Sequence, residues 1–512
     1  MEENKMSKGK EILAILLLTL VIGTGTLAWI VWSSKDNTKM NVTIGDLADV
    51  SFKTGNDINI SNLSPSFYYD DGALTEFSIR KKKGLTTELN TNIYLDITSI
   101  SDELKNDNFK YVLLSSSDGN TYNEVISSSF KDAGVGKLDI VTDNPLTDGK
   151  TYYKFYIWID GNNENNETMQ GKSLKGTLNV DVSTPPVNAV TLVEGLDKGE
   201  TGDSGSGVYK VTHSAIPSDS SATGSEIQAV TDYRYYGPNP NNYICLDMEG
   251  GSTCPDKHLY RIIGSIYEEK ENTNRIKVIK ATPLTDGTTS RFSWDYTSSG
   301  SYSNIWATIT SGNYSNSLTS GSQLMKLLNS GAWWNGTSGS YYNNSTTATN
   351  VNFTNYKLSD KAKSYITTSR YYLGGYNNSN ILTSAMYGYE RGTNSSATSR
   401  PLYWDGMVGL LYPSDYGYAA GNTCVTGTTL YNYGAGCKNK GWFYNTKDQW
   451  LVTPNSMAEY SCVFYIYSDG KIGFFGDDNT QFANFVHPVF YLTSTTSIID
   501  GDGTLNNPYI LK

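Results

Sequence analysis

Charge is scarce in this chain. Only 18% of the 512 residues are Asp, Glu, Lys or Arg, against a usual share of about 25%. Positive charge is scarcer still: 40 Lys and Arg stand against 51 Asp and Glu, a net −11, so the basic face that non-specific nucleic-acid binding needs is excluded. There are three histidines, His213, His258 and His487, and five cysteines, none before Cys245. No cysteine pair has CxxC spacing, which argues against a zinc cluster. P-loop, Rossmann glycine and GxSxG motifs are all missing, and with them the chemistries they serve. The hydrophobic fraction is low at 38%, yet 12% of the chain is aromatic, 39 residues of it tyrosine, which argues against global disorder. Tyr, Thr, Ile and Val favour strands, while Gly and Asn favour turns, so the profile is that of a β-rich protein.

One long apolar run is present. Ile12 to Trp32 is 21 residues without a charge, about 30 Å as a helix, the thickness of a bilayer core. Lys5, Lys8 and Lys10 precede it, and Trp29 and Trp32 sit at its far end. The positive-inside rule then makes residues 1–11 cytoplasmic, 12–32 a transmembrane anchor, and the rest extracellular. A cleaved secretion signal is the alternative, with Thr26-Leu27-Ala28 as the small-residue site. An extracellular location permits disulfides. Cys245 with Cys254, and Cys424 with Cys437, are each separated by a short Gly-containing loop and are the expected pairs, leaving Cys462 over.

Residues 40–183 alternate with period two. Ile93, Leu95 and Ile97 interleave with Tyr94, Asp96 and Thr98, Tyr153, Phe155, Ile157 and Ile159 with Tyr152, Lys154, Tyr156 and Trp158, and Leu178, Val180 and Val182 with Asn179, Asp181 and Ser183, one set for a buried face and the other for a second face. Asp-Gly and Asn clusters punctuate the runs, the pattern of a β-sandwich. Residues 184–228 open with Thr184-Pro185-Pro186 and continue rich in Gly, Ser, Asp and Thr, the composition of a flexible linker, with Leu192-Val193 and Val208 as places for short strands. Residues 229–512 form a second domain. Leu259–Tyr267 and Arg275–Lys280 read as a hairpin, Ser322–Leu328 as a short amphipathic helix, Leu358–Ile366 as another helix capped by Ser359, and Ser468-Asp469-Gly470 as a hairpin turn.

Two resemblances follow from particular phrases. The Gly-Thr-Gly-Thr-Leu-Ala end of the apolar run, Asn59-Ile60-Ser61-Asn62-Leu63-Ser64-Pro65, Phe77 and the Ile93–Ile97 strand look like the camelysin-type biofilm-fibre proteins of Gram-positive bacteria. That resemblance implies an Ig-like or jelly-roll sandwich at the cell surface. No zinc-protease motif stands here, so no protease activity is carried over. In the second half, YRYYGPNPNNY from Tyr233, LYRIIG from Leu259, GLLYPSDYG from Gly409, WLVTP from Trp450 and HPVFYL from His487 resemble a family of uncharacterised surface domains of gut Firmicutes. The order of a Trp motif, a hairpin and a closing strand is similar to C-type-lectin-fold proteins and the formylglycine-generating enzyme. Val486-His487-Pro488 replaces the Val-Arg-Pro of that pattern, and Cys424 and Cys437 do not sit in the enzyme's redox motif.

The expected fold is therefore mainly β: an N-terminal membrane helix, an Ig-like or jelly-roll sandwich, then an α+β C-type-lectin-like domain. The expected function is non-enzymatic: a bacterial cell-surface adhesin or ligand-binding protein, its binding module on a sandwich stalk, with a glycan or protein as extracellular ligand. A structural biofilm-matrix protein and a glycan-active hydrolase are the alternatives. For the hydrolase, Glu390, Asp405 and Asp415 are the carboxylates in an aromatic-rich stretch. The ligand surface is expected between the final strands, at Tyr465, Tyr467, Phe474, Phe475, Asp477, Asp478, Asn479 and Gln481, because adjacent Phe474 and Phe475 cannot both face one core. Trp333-Trp334, Tyr341-Tyr342, Tyr371-Tyr372, Tyr387, Tyr389, Tyr403-Trp404 and Tyr416 are equally readable as core or as contact surface. No cofactor is expected. Calcium is the one candidate ion, at Asp477-Asp478-Asn479 or Asp500-Gly501-Asp502-Gly503, where solvated turns are the alternative.

Overall fold

The computed structural model describes residues 40–44, 47–53, 55–83, 88–162, 166–308, 320–393, 400–443, 446–457, 461–474 and 479–512. The chain divides into two compact units, Met1–Pro185 and Pro186–Lys512. Both are built mainly from strands.

In the first unit two sheets share one core. The larger runs in the order Met40–Ile44, Ala48–Phe52, Ala73–Lys81, Lys150–Asp160, Phe109–Ser116, Asn123–Ser129. The smaller runs Asp57–Ile60, Leu174–Ser183, Leu89–Ile100, Gly136–Leu146. Period two decides what lies between them: Tyr153, Phe155, Ile157 and Ile159 from one sheet meet Ile93, Leu95, Ile97, Leu174 and Leu178 from the other, all buried. The intervening Tyr156 and Trp158 point to the opposite side of their sheet, where they pack with Val112 and Leu114 in a separate small cluster. The short strand Pro65–Ser66 pairs in parallel with the end of Lys150–Asp160.

The second unit is organised on a ten-stranded sheet. Leu259–Glu268 and Thr273–Lys280 form its central hairpin, flanked by Val489–Leu492 on one side and by Tyr243–Cys245 and Tyr509–Leu511 on the other. Short sheets and helices cover it. Trp294, Trp306, Trp404 and Trp450 are fully buried and fill the volume that leucine fills elsewhere. The helix Gln323–Asn329 lays Leu324, Leu327 and Leu328 into this core, and the Ser322 hydroxyl caps it by accepting from Met325 N at 3.1 Å. Ser359 caps Asp360–Ser364 in the same way. Both expected disulfides are present, and Cys462 is buried outside them.

Two expectations are corrected. The segment 184–228 is not a linker throughout. Asn188 caps a helix, Ala189–Gly195, by accepting from Val190 N at 3.0 Å, and Gly207–His213 pairs along its length with Val230–Tyr236. Ala189, Val193, Val208 and Tyr209 are buried. Val208 lies in a short strand as expected, whereas Leu192-Val193 lie in a helix rather than a strand. The single-pass membrane placement is also overturned. Among the described residues no helix is long and apolar enough to cross a membrane. Thr383–Glu390, at eight residues, is about 12 Å long against the ~30 Å of a bilayer core. The run Ile12–Trp32 and the Ala28 cleavage site lie outside the described residues.

Candidate functional site

The residues expected to bind ligand between the final strands divide into two groups. Phe475, Asp477 and Asp478 lie outside the described residues. The others are engaged within the unit. Asn479 is buried, and its amide closes a ring with one residue, accepting from Val463 N at 2.9 Å and donating to Val463 O at 2.8 Å. Tyr465 is buried and stacks on Tyr467 with centroids 4.2 Å apart, while Lys471 Nζ sits 4.5 Å over the Tyr467 ring. Phe474 is half-buried, edge-on to Phe464 at 5.3 Å. Gln481 lends its carbonyl to the Ser293 hydroxyl at 2.5 Å.

The calcium motif Asp500–Gly503 is a turn. Asp500 accepts from Gly501 N at 2.7 Å and Asp502 from Thr504 N at 2.9 Å, and Gly501 and Gly503 have φ of 91° and 76°. A different trio carries donor atoms closer together. Asp247, Glu249 and His258 each offer one ligand atom, all within 4.8 Å of one another, beside the Cys245–Cys254 bridge. Its charge is already partly met: Lys257 Nζ lies 2.8 Å from Glu249, His258 Nε2 lies 3.2 Å from the same carboxylate, and Asp247 accepts from Ser359 Oγ at 2.6 Å. The trio was legible only as two acids inside the Cys245–Cys254 loop and a histidine just after it.

The carboxylates considered for hydrolysis part company. Asp405 is held by Arg370 in a two-bond pair, Nε–Oδ1 2.8 Å and Nη2–Oδ2 3.0 Å. Glu390 and Asp415 come together at the ends of Thr383–Glu390 and Pro413–Ala419, inside a buried ionic network. Arg234 bridges Asp232 at 2.7 Å and Asp415 at 2.7 Å, and Lys277 reaches the second Asp415 oxygen at 2.6 Å. Burial pushes the Asp415 carboxyl up, but Lys277 and Arg234 outweigh it and hold the group below the usual range. Glu390 has no such pair of cations. Burial pushes it up to about 7 against the pull of Arg391, while Ser414 donates to it from N at 2.9 Å and Oγ at 2.5 Å. His213 belongs to the same network: Nε2 lies 2.9 Å from Asp232 and the ring stacks on Tyr387 at 3.6 Å. Burial lowers its pKa despite Asp232. The third histidine, His487, is buried with Nδ1 2.8 Å from the Lys280 carbonyl. Each of these charges faces an opposite charge or a hydrogen-bond partner inside the core, which is what buried ions require. Arg234 and Arg391 have near neighbours in Asp232 and Glu390, but the contacts that join the network, Arg234 and Lys277 to Asp415 and Arg391 to Glu269 at 3.9 Å, link residues far apart along the chain and gave no local sequence signal.

The aromatic phrases resolve mostly toward the core. Trp333, Tyr341, Tyr371, Tyr372, Tyr387, Trp404 and Tyr416 are buried, while Trp334, Tyr342, Tyr389 and Tyr403 are half-buried. One open depression borders them. A groove of about 380 Å³ runs between the helix Gln323–Asn329 and the strand Ser338–Tyr341, with Gln323, Lys326, Asn335, Thr337, Ser338 and Ser340 among its lining residues. Asn335, Thr337, Ser338 and Ser340 are exposed. No known protein family matches the chain, and no curated protein is significantly similar to it.

Proposed function

We propose that the protein is a non-enzymatic, adhesin-type ligand-binding protein, with Pro186–Lys512 as a binding module of C-type-lectin-like character and the first unit as an Ig-like or jelly-roll sandwich. The observation that carries this reading is the polar groove beside Gln323–Asn329. Its volume of about 380 Å³ falls in the range of small-ligand sites. Its exposed Ser, Thr and Asn, with Lys326 and Gln323, are adaptable hydrogen-bonding groups rather than a reactive constellation. The shifted acids Glu390 and Asp415, by contrast, are sealed in the core with partners of their own. The lectin-like description is supported by the order Gln449–Pro454, Val463–Ile466, Ile472–Gly473 and Val489–Leu492, a Trp strand, a hairpin and a closing strand.

The test is capture of glycans and proteins by the immobilised full chain, repeated with Lys326→Glu and Asn335→Ala. Capture that falls about tenfold in both variants without a loss of thermal stability supports the groove. Turnover of any captured glycan, or capture indifferent to both changes, refutes the reading.

A further inference from the structure

We propose that the sandwich of the first unit carries a saccharide-binding groove of its own, formed by Phe67, Tyr68, Tyr69, Trp158, Asp70 and Asn162. This site is separate from the polar groove of the second unit and does not depend on it.

The exposed apolar surface of the first unit is concentrated here. Phe67 is 67% exposed, Tyr68 69% and Tyr69 40%. Three consecutive aromatic residues facing solvent are conspicuous on a protein surface and mark contact sites. They border a depression of about 400 Å³, within the range of small-molecule sites. Tyr69 leans on Tyr156 and Trp158, with centroids 5.2 and 6.1 Å away. The rings therefore continue the apolar cluster Val112, Leu114, Tyr156 and Trp158 on the non-core side of the larger sheet.

The aromatic turn is held at both ends. Pro65–Ser66 pairs with Ile159 and Asp160, and Gly161 N donates to Ser66 O at 2.8 Å. The Ser66 hydroxyl donates to Asp71 at 2.5 Å and accepts from Tyr68 N at 3.1 Å. At the far end Gly72 lies so close to Lys150–Asp160 that a Cβ would run into the Ile157 carbonyl and come within 2.8 Å of Trp158 Cβ. Only glycine fits there. Rigid aromatic side chains on a pinned backbone lose little entropy when a ligand stacks on them.

The polar lining selects the ligand class. Asp70 and Asn162 are exposed, Asp160 is buried, and no Lys or Arg lines the groove among the described residues. Lys110, the cation bonded to Asp160 at 2.5 Å, is already paired. An anionic ligand would meet the exposed carboxylate of Asp70 and find Lys110 already taken by Asp160. A wholly apolar segment would strand those acceptors against its surface. A neutral saccharide meets both requirements: its C–H faces stack on the rings and its hydroxyls donate to the carboxylates and the amide.

The experiment uses the full chain and neutral oligosaccharides of glucose, xylose, mannose and N-acetylglucosamine, followed by calorimetry and by the fluorescence of Trp158 against a Trp158→Phe control. At least one series is expected to bind at millimolar concentration or below, and Phe67→Ala with Tyr68→Ala to weaken it about tenfold or more at unchanged melting temperature. Lys326→Glu in the other groove is expected to leave it unchanged. If the double variant melts early, Tyr68→Ala alone is read. The proposal fails if no series binds, or if binding survives the aromatic changes. It also fails if those changes abolish self-association in sedimentation while no sugar binds, which would make the patch a contact between copies of the chain.

Discussion

Glu390 shows how far a single side chain is set by its surroundings. Burial raises its pKa from 4.5 to about 7. Between those values the folded state keeps a proton that the unfolded chain has released, so this group makes stability fall as pH rises through that window. His487 has the opposite sign. Burial lowers it from 6.5 to about 4, so its contribution is fully present above the upper value and is lost as pH falls toward the lower one. Glu390→Gln removes the first linkage and leaves the second. Relative to the parent, its unfolding free energy should therefore rise with pH between 4.5 and 7, the two profiles diverging by at most about 1.4 kcal/mol per pH unit. Denaturant titrations across the window check this, and parallel profiles would mean that Glu390 is charged throughout. Neither shift was legible from the residues themselves. Arg234 and Asp415 are 181 positions apart, and Lys277 and Asp415 are 138 apart, so no local spacing announces the network. The exposed trio Phe67–Tyr69 was equally silent, because its exposure depends on a two-residue parallel pairing rather than on any periodic pattern.

Single elements were far more legible, for reasons visible in each. Tyr153, Phe155, Ile157 and Ile159 alternate cleanly because one face of their strand is core. Leu259–Glu268 and Thr273–Lys280 form the expected hairpin because a polar turn separates two strongly β-forming runs. Short helices were readable where a serine cap preceded them, and the helix Ala189–Gly195 was missed because its cap is an asparagine amid turn-forming residues. Removing the Ser322 cap by Ser322→Ala should cost about 1 kcal/mol, seen as a lower urea midpoint with an unchanged slope. At the final hairpin the same logic gives a sharper outcome. Asn479 satisfies both backbone groups of Val463, so Asn479→Ala leaves two buried groups unpaired and should cost about 2–3 kcal/mol or more. A loss of ligand capture without that loss of stability would restore Asn479 to a binding role.

At the scale of the whole molecule, the two units differ in what holds them. The core clusters divide where the chain divides, one built from strands between Ala48 and Val182, the other from residues after Pro186. Both disulfides lie in the second unit, closing separations of 9 and 13 residues, each contributing about 2–3 kcal/mol by loop entropy. Cooperative unfolding follows a shared core, so two cores predict two calorimetric transitions. Each transition can be assigned by a change confined to one unit. Ile157 is fully buried in the first core, and Ile157→Ala should cost about 2–5 kcal/mol, lowering one transition by about 5–15 °C and leaving the other in place. Reduction of the disulfides should do the reverse, because the first 244 residues contain no cysteine. A single transition that moves with both changes would show that the units unfold together, and the binding experiments on either groove would then have to be read as reports on the whole chain.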